Sequence, residues 1–237
     1  MAGLRERQKA ERERRILQAA SERFRAAGYD ATRIEEIAEA AGLSVGTLYN
    51  YFGTKGDILV AIVSLEVEEI LAEGAALVAA PCADAEAAVA ALIGLYYDHS
   101  LVYLSKAMWR TAMAMAILTP DSPASRRYAA LDARLSAQVC ELVASLQAVG
   151  AVRGDVDAEA VGQMLFNNLN QMFLEFTRDE AQTLQTLKAR VARQNRPLLG
   201  LAAAGGAGSR PASRAISAVS GPARGEPVRA TSPKSGP

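Results

Sequence analysis

The sequence predicts an all-α fold. Half of the 237 residues are hydrophobic but only 5% are aromatic, and Ala, Leu and Val make up most of the apolar fraction. Alanine has the lowest intrinsic cost in a helix, whereas strands favour β-branched and aromatic residues. Apolar residues also recur at intervals of three and four along most of the chain, which is the period of a helix with one buried face. We therefore expect helices and no sheet.

Breaks in the apolar spacing divide the chain into helices. The first is expected over residues 4–27, because its apolar stripe ends at Gly28 and glycine accepts left-handed backbone at a helix C-terminus. Proline ends or interrupts a helix, since it lacks an amide donor and restricts the residue before it. Longer helices are predicted from about Lys55 onward, from Pro81 to about His99, and over Ser105–Leu118, Ser122–Val149, Ala158–Arg178 and Asp179–Gln194.

Two short helices are predicted between the first helix and the long one. Thr32 with Glu35 three residues later has the pattern of a capping box, so a helix is expected to start there. Gly42 stops this helix, and the Ser44 hydroxyl can cap a second one that runs to Phe52. Two short helices joined by a glycine-bearing turn form a helix-turn-helix, in which the start of the second helix enters the DNA major groove. The alternative is that these helices only pack together as a structural three-helix unit and do not bind DNA.

The charges are segregated along the chain although the net charge is zero. Residues 1–60 sum to +1, residues 61–200 to −5 and residues 201–237 to +4. A polyanion would therefore meet the N-terminal part or the tail. The tail holds five of the nine prolines and six glycines without apolar periodicity, which predicts disorder. We expect a helix-turn-helix domain over 1–54, a helical domain over 55–200 and a disordered tail over 201–237.

Several classes of protein are excluded by composition. The two cysteines, Cys82 and Cys140, and the single histidine, His99, are too few for a disulfide framework or a multi-ligand metal site. No Ser or Cys lies in a nucleophile context, so we expect no enzyme activity and no cofactor. The mixed charges of Met1–Arg15 do not form a secretory signal, and the apolar run Ala87–Tyr97 is too short to cross a membrane. A cytoplasmic protein is expected.

The helix-turn-helix segment resembles a known family over about residues 10–60. The residues that carry the resemblance are Ile37, Ala38, Ala41, Gly42, Leu43, Ser44, Gly46, Thr47, Leu48, Tyr49, Tyr51, Phe52, Lys55 and Leu59. Their pattern is similar to the signature of the tetracycline-repressor (TetR) family of bacterial transcriptional regulators. The resemblance implies an all-helical homodimer that binds a palindromic double-stranded DNA operator and releases it when a small-molecule effector occupies the C-terminal domain.

The resemblance also implies roles for individual residues. Phosphate contacts would come from Thr32, Tyr49, Tyr51 and Lys55, while Val45, Gly46 and Thr47, which follow the capping Ser44, would lie against bases.

Two positions of this sequence depart from the family pattern. Val45 replaces a frequent Lys or polar residue, and Arg33 replaces a small hydroxyl residue. The second helix, residues 44–52, therefore has no charge, so base recognition is expected to depend on thymine methyl contacts and on DNA shape. Arg33 either contacts a phosphate or is solvated.

A small-molecule pocket is expected in the helical domain. The segment around His99 combines aromatic, thioether and polar side chains, which is the mixture found in ligand pockets. The candidate lining residues are His99, Tyr103, Trp109, Met113 and Asn167. His99 could equally be a satisfied core or helix-end residue.

A twofold dimer is expected to form through a four-helix bundle. Each subunit would contribute the helices 122–149 and 158–178, which have the longest uninterrupted apolar stripes. Amides set among those apolar residues must face a dimer seam, a pocket or water, because buried amides need partners. They are Gln163, Asn167, Asn170 and Gln171. A DNA-bound architectural or protein-interaction factor without a small ligand is the rival function.

Overall fold

Residues 2–203 of a computed structural model are described, and they form nine α-helices without a β-sheet. Val152 and Ala203 make one isolated bridge. The helices are α1 (Ala2–Ala27), α2 (Ile34–Ala40), α3 (Val45–Tyr49), α4 (Lys55–Ala79), α5 (Ala85–His99), α6 (Lys106–Leu118), α7 (Pro123–Ala148), α8 (Ala158–Arg178) and α9 (Leu184–Ala202). The predicted all-α fold is confirmed.

The first three helices pack around one apolar cluster that continues into α4. Ile16 and Phe24 of α1, Ile37 of α2 and Leu48 of α3 are each at most 1% exposed. Ile58, in the first turn of α4, is fully buried in the same core. The helix-turn-helix is thus held in place by burial of apolar side chains, which is the main driving force for folding.

The remaining helices form a layered helical body around α4 and α7. Helix α7 packs on α4 and on α8, α9 packs against α5 and α8, and α6 contacts α4, α7 and α8. One contact joins α6 to the start of α4: the methyl end of Met115 lies against Gly56, where a Cβ would overlap it. Only glycine gives α6 this approach without a shift of the Met115 side chain.

Helices α7 and α8 approach each other closely at Gly162. A Cβ built on Gly162 would lie 2.5 Å from the Cα and 2.7 Å from the Sγ of Cys140. The first of these atoms belongs to the backbone of α7 and cannot rotate away. Gly162 therefore sets the distance between the two helices.

The last helix departs from its predicted bounds, Asp179–Gln194. It begins later because the ammonium group of Lys106 binds the carbonyl oxygens of Asp179 (2.6 Å) and Gln182 (2.8 Å), which holds this segment as a loop. It continues past Pro197, which is exposed, because Leu199 and Ala202 are buried and hold the last turns against the core.

The predicted domain boundary between residues 54 and 55 coincides with the first residue of α4 and stays a prediction. The tail predicted from residue 201 lies outside the described residues apart from 201–203. Among the described helices, none is both long and apolar enough to span a bilayer.

Candidate DNA-binding surface and ligand cavity

The turn between α2 and α3 has the geometry of a helix-turn-helix. Gly42 has a φ of +65°, a conformation that L side chains rarely adopt. The Leu43 amide donates to the Ala38 carbonyl (2.9 Å), which closes the C-terminus of α2. Ala38 and Ala41 are buried, so the two helices can approach closely, and Leu48 is fully buried beneath them.

The start of α3 is exposed and capped as the sequence predicts. The Ser44 hydroxyl accepts from the Thr47 amide (3.1 Å) and lies 2.8 Å from the Thr47 hydroxyl. Gly46 faces open space, because no heavy atom lies within 4 Å of a Cβ built there. Val45 is half-buried against the core. The helix thus presents a flat, uncharged surface.

Two tyrosines follow this surface. Tyr49 is 49% exposed and Tyr51 is half-buried. Arg33 at the start of α2 has a largely exposed side chain, and its Nε lies 3.4 Å from Glu35 on the surface. All three side chains have polar groups that can reach a ligand outside the domain.

Thr32 is buried at the end of α1. Its side chain is 2% exposed, and its hydroxyl donates to the Gly28 carbonyl (2.7 Å) at the end of α1. Helix α2 instead begins at Ile34, and the Arg33 amide donates to the Glu36 carboxylate (2.9 Å). The Thr32–Glu35 capping box is therefore wrong by one residue. The Thr32 hydroxyl is bonded inside the domain, and its contact with a DNA phosphate stays a prediction.

Lys55 is also bound within the domain. Its ammonium group donates to main-chain carbonyls of the loop before α2, those of Tyr29 (2.7 Å), Asp30 (3.1 Å) and Thr32 (3.1 Å). It also lies 4.5 Å from the centre of the Tyr29 ring. An ammonium has three N–H donors, so this arrangement uses all of them.

We expect Lys55→Met to lower the free energy of unfolding by about 1–3 kcal/mol, since three carbonyls lose a charged donor. Urea denaturation followed by circular dichroism measures this change. Lys9→Met, at an exposed position of α1, is the matched control. Unchanged stability together with weaker DNA binding would instead assign Lys55 to phosphate contact.

A small cavity lies among α4, α5, α6, α7 and α8. Its volume is about 50 Å³. Its wall includes two of the predicted pocket residues, Trp109 and Met113, with the Trp109 indole donating to the Ser100 carbonyl (2.6 Å). A groove of about 430 Å³ between α6, α7 and α8 shares four wall residues with the cavity: Met113, Tyr128, Asp132 and Asn170. Asn167 is exposed and lies on the groove.

The other two predicted pocket residues lie beside the cavity and not on its wall. His99 is half-buried between two carboxylates, with Nδ1 3.6 Å from Glu66 and Nε2 3.4 Å from Glu69. The Tyr103 hydroxyl donates to Glu69 (2.9 Å). These residues therefore form a polar cluster that touches the cavity through Glu66.

Two acidic residues of the cavity wall were missed by sequence reasoning. Glu66 is 1% exposed and neither carboxylate oxygen has a hydrogen-bond partner. Burial raises its pKa to about 8. Burial also raises the pKa of Asp132, against the opposing effect of a hydrogen bond from Asn170. The sequence position of Glu66 could have indicated its burial. Glu66 lies four residues from both Ile62 and Ile70, on the buried face of α4.

The loop between α5 and α6 connects the cavity wall to α1. Arg25 of α1 donates to the carbonyls of Val102 (2.7 Å) and Leu101 (3.2 Å), and the Ser21 hydroxyl donates to that of Tyr103. Ser100 lines the cavity, and its carbonyl accepts a hydrogen bond from the Trp109 indole N–H. These hydrogen bonds join the loop at the cavity wall to α1.

The apolar stripes of α7 and α8, on which the predicted dimer bundle rested, are used inside the chain. Val139 and Leu142 of α7 and Leu165 and Leu169 of α8 are all at most 5% exposed. The outer face of the pair consists of small and polar residues with one large apolar side chain, Met164, 56% exposed. That face comprises Ala133, Ala137, Ala144, Gln163, Met164, Asn167 and Gln171. Of the four amides, only Asn170 faces the cavity.

Comparison with known proteins gives matches to regulators. A family model for bacterial regulatory proteins of the TetR family matches residues 16–62. The transcriptional repressor KstR of Rhodococcus jostii (strain RHA1) is 41% identical over 64 residues, which are 27% of this chain and 30% of KstR. The chain thus matches less than a third of the length of these curated relatives.

Solved structures extend the similarity beyond the helix-turn-helix into the helical domain. Thermus thermophilus FadR, a TetR-family repressor solved with lauroyl-CoA, is 26% identical with a TM-score of 0.59 over 79% of this chain and 92% of FadR. A TetR regulator from Haloarcula marismortui, 18% identical, shares the fold with a TM-score of 0.65 over 82% of this chain and 99% of its own. Residues 16–62 thus match the TetR family of bacterial regulatory proteins, and the all-α fold of the described chain is similar to that of solved TetR-family regulators.

Proposed function

We propose that the protein is a dimeric transcriptional repressor that leaves its DNA operator when a small molecule enters the helical domain. The observation that carries the proposal is the exposed, uncharged start of α3 on a well-formed helix-turn-helix. Support also comes from the repressors KstR and FadR among the similar proteins. The operator is taken to be palindromic, because a twofold protein binds two related half-sites.

Contacts of two kinds are expected on DNA. Tyr49→Phe removes a hydroxyl from an exposed side chain, so binding to specific and random DNA should weaken alike, by roughly 1 kcal/mol or about fivefold. Thr47→Ala and Val45→Ala change groups that face bases and should shift the preferred sequence. Selection from a random DNA library with purified wild-type protein identifies the operator, and fluorescence anisotropy compares the variants. Equal losses on every sequence for every variant would contradict these roles.

The dimer is proposed to form through the outer face of α7 and α8 defined above. Small side chains there permit close helix contact, and Met164 supplies an apolar anchor that is left exposed in the single chain. Sedimentation velocity at micromolar concentration should give a species of twice 25.1 kDa. Ala137→Glu, on that face, should shift it towards monomer, whereas Ala90→Glu on the exposed face of α5 should not.

Release from DNA is proposed to begin at the cavity and reach α1 through the α5–α6 loop. The effector must bind the released state more tightly, since a ligand shifts an equilibrium only by its differential affinity. By linkage, operator DNA must weaken effector binding by the same factor. Titration of a ligand with and without operator tests this. A ligand whose affinity is unchanged by operator would favour the rival function, a DNA-bound factor without ligand control.

A further inference from the structure

We infer that the effector is an organic cation, an ammonium group on an apolar tail, whose head lies beside Glu66 and Asp132 in the cavity. The inference rests on the proposed function, because it names the ligand class of the proposed effector site. It is carried by the chemistry of the cavity wall.

The strongest indication is Glu66. Its carboxylate lies on the cavity wall, is nearly inaccessible to water and has no donor within hydrogen-bond distance of either oxygen, with His99 Nδ1 3.6 Å away. Buried polar groups in folded proteins are almost always paired, because leaving one unpaired costs free energy. A cationic ligand would supply the missing partner.

Aromatic rings form much of the rest of the wall. They belong to Tyr96, Tyr97, Trp109, Tyr128 and Phe173. The hydroxyls of Tyr96 and Tyr97 are already bonded, to Gln138 (2.7 Å) and to the Leu169 carbonyl (2.8 Å). Tyr96 and Tyr97 can therefore contact a ligand chiefly through their rings. Ring faces attract cations, and desolvated ammonium groups gain most from them.

The charge of the wall has one sign. Glu66 and Asp132 are its ionisable acids, and within the described residues neither the cavity nor the adjoining groove is lined by Lys, Arg or His. An anionic head group would find no positively charged side chain on this wall, and Glu66 and Asp132 would repel it once they ionise. The site therefore selects against carboxylates and phosphates.

The groove provides the route and the place for an apolar tail. The cavity alone has room for about one or two waters, whereas typical ligand pockets have volumes of several hundred cubic ångströms. Met113 borders both spaces, and a methionine side chain moves easily between rotamers. Its movement would join the cavity to a groove edged by Ile117 and Leu174.

Glu66 should release its proton when a cation binds. Burial holds its proton up to about pH 8, and a cation binds the ionised form, so affinity should rise between pH 6 and 8.5 by up to about tenfold per pH unit. The other groups facing this carboxylate are His99 from α5, Glu69 on α4, Tyr103 in the α5–α6 loop and Arg25 from α1.

Trp109 is the single tryptophan and lies on the wall, so its fluorescence reports occupancy of the cavity directly. We would titrate the full-length protein with hexylammonium, and in parallel with hexanol, hexanoate and lauroyl-CoA. We expect saturable binding of the cation at least tenfold tighter than that of hexanol or hexanoate. Glu66→Gln should weaken cation binding at least tenfold and flatten its pH dependence.

Glu68→Gln is the matched control, since Glu68 is exposed two residues away on the same helix; it should leave the affinity within twofold. Asp132→Asn tests the second acid independently should the Glu66 variant fail to fold. Failure of the cation to bind, preference for hexanoate or lauroyl-CoA, or full cation affinity in Glu66→Gln would overturn the inference. Ligand control by a neutral or anionic compound would leave the proposed function intact, whereas DNA binding insensitive to every bound ligand would remove both.

Discussion

Gly162→Ala is expected to lower the free energy of unfolding by about 3 kcal/mol, at the upper end of the usual range for overpacked interiors. The added methyl group would lie 2.5 Å from the Cα of Cys140. Because this atom is backbone, relief requires that α7 and α8 move apart, and the packing of Leu142 and Leu165 between them would loosen. Urea denaturation monitored by circular dichroism measures the loss.

Gly200→Ala is the matched control. Gly200 is also helical, but no atom lies within 4 Å of a Cβ built there. Alanine has a higher helix propensity than glycine, so this variant should be more stable than the parent by up to about 1 kcal/mol. If both substitutions were to change stability by the same amount and sign, the close approach at Gly162 would not be the controlling factor.

Glu66→Gln is expected to change how stability depends on pH. The pKa of Glu66 is about 8 in the folded chain, raised by burial from its ordinary value of 4.5. The unfolded state therefore releases this proton first, so the contribution of Glu66 to stability is complete below pH 4.5 and is lost as pH rises to 8. Removing the titrating group should abolish this loss, which amounts to about 5 kcal/mol at most.

The measurement is a series of urea denaturations of parent and variant between pH 5 and 9. The difference between the two free energies of unfolding should grow with pH in favour of Glu66→Gln and level off above pH 8. Glu68→Gln should run parallel to the parent throughout. A constant difference across the series would show that Glu66 is ionised in the folded chain over the whole range and is paired, for instance with His99.

Local sequence signals were sufficient for the recognition element. Gly42 and Ser44 act through their own backbone and the next turn, so their roles follow from spacing alone. Thr32 shows the limit of such signals. Its hydroxyl can bond forward to start α2 or backward to close α1, and the backward bonds to Gly28 and Arg23 are the ones formed.

The cavity depended on contacts between distant parts of the chain. Glu66, Tyr96, Asp132 and Phe173 come from four helices, and no spacing rule relates them. His99 and Tyr103 were predicted to line the pocket because they are polar and close to Trp109 in sequence. Helix packing instead turns both side chains towards Glu69. The predicted dimer bundle has the same limit. Apolar periodicity shows that a helix face is buried, but it does not show whether the same chain or a second subunit covers that face.

The close approach at Gly162 also bears on how ligand specificity can evolve. Tyr128 and Asp132 stand on α7 and Asn170 on α8, so the spacing of these two helices sets the width of the groove between them. Gly162 lies about two turns of α8 before Asn170. A larger residue at position 162, accommodated by a wider helix spacing, would admit bulkier ligands while every wall residue stayed the same. Relatives with identical linings would then respond to different compounds, and comparison of the linings alone would not reveal why.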